Sequence, residues 1–122
     1  MAYPKVRVIN EERVSVQTTS IGGTPVAVYI GMPTKGYITK ISAVAQGVIT
    51  TADCTITVAV NGTTNANLAG TIPVASAAAG QIAQWAPLTN VYVNEDDVLT
   101  FTPSGASGAT IGGLFTVYVK EL

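Results

Sequence analysis

Residues 36–62 read GYITKISAVAQGVITTADCTITVAVNG, and the alternation within them sets the fold class. In the second half Cys54, Ile56, Val58 and Val60 alternate with Thr55, Thr57 and Ala59. A period of two sends successive side chains to opposite faces, so this segment is a strand with one buried face. Asn61-Gly62 closes it, because both residues tolerate the positive φ of a tight turn. In the first half Ile41, Ala43 and Ala45 share one phase, and Lys40, Ser42 and Gln46 the other. Val44 departs from that alternation, which implies that both faces of this strand are partly covered. The stretch holds two strands joined by a short link.

The same pattern recurs outward in both directions. Val6 and Val8 alternate with Lys5 and Arg7, and Val14 and Val16 fall in phase within RVSVQT at 13–18. Asn10-Glu11-Glu12 between them reads as a turn. The breaker run Ile21-Gly22-Gly23-Thr24-Pro25 then divides an expected N-terminal hairpin arm, residues 1–25, from a body, residues 26–122. VAVYI at 26–30 is a strand with Val26, Val28 and Ile30 together. Residues 63–67 form a polar loop leading to a weak strand around 68–74, which Pro73 restricts to a sheet edge. Ala75–Ala79 is a loop, since Gly80 and the short length work against a helix. Strands follow at Val91–Val93, at Val98–Thr102 with Leu99 and Phe101 on one face, and at Leu114–Lys120. In the last, Phe115, Val117 and Val119 face in, and Thr116, Tyr118 and Lys120 face out. Asn94-Glu95-Asp96-Asp97 is a turn between two of these strands. Eight to ten short strands at regular turn spacing, with no helix, mean an all-β sandwich or barrel.

The chain has 122 residues, the size of one domain. Such a domain buries roughly two thirds of the surface of its unfolded chain and needs no covalent or metal staple. Its single cysteine, Cys54, cannot form an internal disulfide. Cys54 lies in phase with Ile56 and Val58, as a small core residue does and a reactive thiol does not. Charged residues make up only 11% of the chain, against roughly 25% in ordinary soluble domains. Between Val14 and Asn94 the only charges are Lys35, Lys40 and Asp53, whereas Lys5, Arg7, Glu11, Glu12 and Arg13 cluster at the start. A surface so poor in charge fits contact with another subunit or a large partner. A neutral, threonine-rich exterior is the competing reading. A net charge of −1 argues against nucleic acid as the partner. No apolar run approaches the ~20 residues of a membrane span. Residues 1–14 lack the apolar segment of a secretory leader, so the expectation is synthesis in a cytoplasm.

Chemistry is limited by what the chain lacks. Without histidine there is no Ser-His or Cys-His pair and no imidazole metal ligand. One cysteine excludes multi-cysteine zinc clusters, and no glycine-rich phosphate loop occurs. No catalytic, cofactor-binding or metal-binding residue is assigned, and no enzyme activity is expected. Glu95-Asp96-Asp97 offers oxygen ligands of the kind Ca²⁺ takes, but in this context reads as a charged hairpin turn. Trp85 with Tyr92 or Tyr37 would make a sugar-stacking platform, or serve as core and interface aromatics. Lys5, Arg7 and Arg13 are the candidate contacts for an acidic partner, and equally read as a solvated strand face.

From Gly36 onward the chain resembles the small head-decoration (cement and head-fibre) proteins of tailed bacteriophages. The matching segments are ITTADCTITVAVNG at 49–62, ASAAAGQ at 75–81, NVYVNEDDVLTF at 90–101 and LFTVYVKEL at 114–122. The family pattern often has glycine where this chain has Asp96. The resemblance implies a single jelly-roll-like β-sandwich, often trimeric. It also implies a non-enzymatic structural protein on the outer capsid surface of a virion, bound to the major capsid protein without a cofactor. Lys5, Arg7 and Arg13 are the expected capsid contacts, since the arm holds charge that the body lacks. A carbohydrate- or receptor-binding domain of a phage fibre or secreted adhesin is the alternative.

Overall fold

The structure, a computed structural model, describes residues 11–50, 52–74, 82–105 and 110–121. Among these run ten strands: β1 Glu11–Thr18, β2 Val28–Gly31, β3 Gly36–Ala45, β4 Cys54–Val60, β5 Thr63–Thr64, β6 Gly70–Ile72, β7 Ile82–Trp85, β8 Tyr92–Val93, β9 Val98–Pro103 and β10 Gly113–Glu121. A 3-10 turn, Ala66–Leu68, precedes β6 and is capped by Asn65, whose side chain accepts from the Asn67 N–H. The expectation of an all-β sandwich holds.

The strands form two five-stranded sheets. Sheet A has the order β1-β10-β3-β7, with β8 also on β3, and sheet B the order β2-β9-β4-β5, with β6 also on β4. Every pairing is antiparallel. The pairs are nested: β1 with β10, β2 with β9, β3 with β8 and β7, β4 with β6 and β5. A long hairpin wrapped over itself gives this order, and it is the jelly-roll topology. Its outermost pairing joins Glu11 to Lys120, almost the full length of the described chain.

Inner-phase residues of both sheets meet in one core. Phe101 of β9 and Phe115 of β10 stack across it, with ring centroids 5.0 Å apart and planes 7° from parallel. Ile38, Ile41, Ile56, Val58, Leu99 and Val117 surround them. Cys54 is fully buried, as its phase implies, with Sγ 3.6 Å from the Ile21 carbonyl oxygen. One edge of the sandwich is closed by Trp85. Its indole N–H donates to the Leu68 carbonyl at 2.8 Å, and its ring lies where any side chain on Gly70 would have to go.

Several expectations are corrected. Residues 11–25 do not belong to a separate arm. β1 pairs with β10 over its whole length, Val14 and Val16 pack on the core, and Ile21 is itself buried in it. The N-terminal half of the expected hairpin lies outside the described residues, as does Ala75–Ala79. Val26 falls before β2 and is 42% exposed, so it does not share the inner face with Val28 and Ile30. Thr63–Thr64, read as loop, pairs with β4 across the Asn61-Gly62 turn. The Asn94–Asp97 turn is not a hairpin, because β8 lies in sheet A and β9 in sheet B. It carries the chain from one sheet to the other.

Candidate functional site

The outward phase of sheet A is the chemically richest surface among the described residues. Register places its side chains in four rows across the strands. Leu114, Val44 and Ile82 form an apolar row with the polar Gln17 at its end, and Ser15, Thr116, Ser42 and Gln84 a hydroxyl and amide row. Next come Arg13, Tyr118 and Lys40, and last Glu11, Lys120, Tyr37 and Tyr92. The apolar row accounts for the irregular Val44: its outer side is half covered by neighbours rather than by a second layer.

Arg13 and Lys40 flank the Tyr118 ring, the Arg13 guanidinium carbon 5.2 Å and the Lys40 ammonium 4.3 Å from its centroid. A ring quadrupole attracts cations at this range. It holds two like charges beside each other on a solvent-facing sheet. Lys40 reaches this row because β3 carries an irregularity opposite Tyr118 and Val119. Lys40 pairs with Tyr118 but Ile38 pairs with Val119, so Thr39 is the extra residue. A bulge of this kind keeps Ile38 and Ile41 both facing inward although they are three apart in sequence. The Thr39 hydroxyl lies 3.2 Å from the Tyr118 carbonyl and 3.3 Å from Glu11 Oε2.

Tyr37 and Tyr92 meet edge to face with centroids 5.9 Å apart, and Tyr92 is 61% exposed. Trp85 does not join them. It pairs with the inward-facing Ile41, so it lies on the opposite side of the sheet. A platform joining Trp85 to Tyr92 or Tyr37 is therefore ruled out, and the tyrosine pair stands without it. In this outward phase Arg13, Lys40 and Lys120 face a single carboxylate, Glu11, although the whole chain is slightly acidic.

Of the expected contact residues, Arg13 is exposed in this surface, while Lys5 and Arg7 lie outside the described residues. Sequence reading did not single out Lys40 and Tyr118 as its companions. The signal for Tyr118 was its outward phase, but nothing local shows which cation sits opposite.

The acidic turn is a structural latch. Asp97 Oδ2 accepts from the Asn94 N–H at 2.8 Å, and Asp97 Oδ1 from the Asn61 side-chain amide at 3.0 Å. Asn61 Oδ1 in turn accepts from the Val98 N–H at 2.9 Å. The Asn94 N–H, then the Asn61 amide, hold the Asp97 carboxyl below its ordinary pKa, because both bond the charged form. Met32 adds two main-chain bonds to the same turn, donating to the Asp97 carbonyl and accepting from the Asp96 N–H. Asp96 has φ +71°, the left-handed conformation that glycine adopts without steric cost. Among the described residues no group of three or more acidic or cysteine side chains is placed to hold a metal ion.

The fold is similar to that of a chain in the acidic stable capsid structure of Helicobacter pylori bacteriophage KHP30. The TM-score is 0.51 at 16% identity, over 88% of this chain and 90% of that one. Similarity to dimeric latent PorU from Porphyromonas gingivalis has a TM-score of 0.47 at 10% identity, over 98% of this chain and 14% of that one. At 16% identity the first likeness is one of fold. No protein-family model and no curated protein matches the chain.

Proposed function

We propose that the protein is a non-enzymatic structural component of a phage particle that decorates the outer capsid surface and stabilises the shell. It binds the major capsid protein through Arg13, with Lys5 and Arg7 from the preceding residues, and does so as a homotrimer. The observation that carries the reading is the collection of Arg13, Lys40 and Lys120 on one sheet face of a nearly neutral protein. The fold shared with a chain of a phage capsid structure supports it. Arginine and tyrosine side chains are what protein interfaces concentrate at their energetic centres, and cations steer the approach to an acidic partner. A trimer would engage several capsid subunits at once, so that weak contacts act together at high effective concentration. Whatever binds only the assembled shell stabilises it by mass action. The strands of sheet B carry no charged residue and present the surface to neighbouring copies.

The test mixes purified protein with undecorated capsids. The expected outcome is co-sedimentation and a higher disruption temperature of the shell. The same mixture with the Arg13→Glu, Lys40→Glu variant should show neither. Absence of binding by the unaltered protein defeats the decoration reading. Equal binding by the variant moves the contact elsewhere. Light scattering that reports a monomer at micromolar concentration removes the trimer.

The exposed Tyr37–Tyr92 pair favours a second reading, a carbohydrate- or receptor-binding domain. A glycan array separates the two: saturable binding that Tyr92→Ala abolishes supports this second reading.

A further inference from the structure

We propose that Asn61-Gly62 is a site of covalent self-modification, at which the Asn61 amide is converted to aspartate and isoaspartate at a rate gated by Asp97. The sequence supplies the reactants. The main-chain nitrogen of Gly62 attacks Cγ of Asn61, a C–N bond forms, and the Asn61 amide nitrogen leaves as ammonia. The five-membered imide that results is opened by solvent water at either carbonyl. One opening gives aspartate, the other isoaspartate. Glycine is the residue that obstructs this attack least. Nothing in the structure lies within 4 Å of where a Gly62 side chain would stand, so no neighbour shields that side of the turn. Asn61 itself is exposed at the tip of the β4–β5 hairpin.

The turn also holds the reaction back. Asn61 and Gly62 have φ +50° and +85°, the paired left-handed conformation of a two-residue hairpin. The Asn61 side chain is held at both ends: Nδ2 donates to Asp97 Oδ1 and Oδ1 accepts from the Val98 N–H. Cyclisation needs Cγ to turn back onto the Gly62 nitrogen, which breaks both bonds. The bond to the Asp97 carboxylate is the charge-assisted one, and therefore the stronger.

The product does not fit where the reactant did. An aspartate at position 61 brings a second carboxylate to the place where an amide met Asp97 Oδ1 at 3.0 Å, replacing a donor by a like charge. An isoaspartate lengthens the main chain by one carbon inside a two-residue turn. That displaces the Asn61 N–H from the Val98 carbonyl, to which it now donates at 2.8 Å. Either product loosens the tip of sheet B from the crossing turn at residues 94–97.

The experiment incubates the native protein in mildly alkaline buffer, with a sample in denaturant alongside. Conversion at each asparagine is followed by peptide mapping and isoaspartyl methyltransferase labelling. Conversion should concentrate at Asn61 in both samples, and run at least about tenfold slower in the native one, the scale of a charge-assisted hydrogen bond. Asp97→Asn retains an acceptor for the Asn94 N–H but removes the charge facing Asn61. It should convert faster than the unaltered protein while remaining folded by its melting curve. Equal rates in native and denatured protein, or in the two proteins under native conditions, overturn the gate. Conversion at Asn65, Asn67 or Asn90 as fast as at Asn61 in the denatured chain overturns the site.

Discussion

The two sheets share one core but present different surfaces. Outward from sheet B stand Tyr29, Thr55, Thr57, Ala59, Thr71, Val98, Thr100 and Thr102, with Thr57 opposite Thr102 and Thr55 opposite Thr71. Outward from sheet A stand Glu11, Arg13, Lys40, Lys120 and three tyrosines. The shortage of charge is thus a property of one side of the molecule rather than of the whole. Inner faces are interchangeable in kind, since each needs only apolar volume. The outer faces differ, and of the two only that of sheet A carries charged strand residues.

The comparison breaks most completely at the shared core. Phe115→Ala removes one ring of the Phe101–Phe115 stack and should cost about 3–5 kcal/mol. Both faces should be lost in one cooperative transition, read as a fall in the chemical-denaturation midpoint. Charge reversal sharpens the contrast. Arg13→Glu with Lys40→Glu should slow association with an acidic partner by about tenfold or more at low salt, with the effect shrinking as salt rises. Thr57→Glu or Thr102→Glu on sheet B should leave that rate unchanged while disturbing self-association, which stopped-flow mixing and light scattering distinguish.

A smaller, conditional difference lies at the latch. Folding lowers the Asp97 pKa, so the folded state favours the carboxylate. Its contribution is present at neutral pH, begins to fade below the ordinary aspartate value, and is gone below the lowered one. Thermal melts across acid pH should show this loss in the unaltered protein, and a flatter acid limb in Asp97→Asn. Smallest is Tyr118→Leu, which keeps an apolar side chain but removes the ring between Arg13 and Lys40. At this exposed site it should cost about 1 kcal/mol or less, measured as a small shift in melting temperature.

Local rules carried far along this chain. The alternation from Cys54 to Val60 and from Phe115 to Val119, and the Asn61-Gly62 turn, appear in the structure as read. They are legible because a strand's two faces and a tight turn's φ angles are set by neighbouring residues alone. The burial of Cys54 follows from the same periodicity. Strand partners are another matter. That β1 joins β10 rather than standing apart, and that Asn94–Asp97 crosses between sheets, depends on pairings between distant segments. Periodicity is blind to those pairings, because any strand of the right phase would satisfy it.

The candidate surface divides in the same way. Sequence alone determined that Arg13, Tyr118 and Lys40 each lie in the phase opposite the apolar residues of their strand. Only the tertiary structure decided that they form one row, because that requires the β1–β10–β3 register and the extra residue at Thr39. Side-chain phase is a property of each strand, whereas adjacency across strands is settled by how the whole core packs.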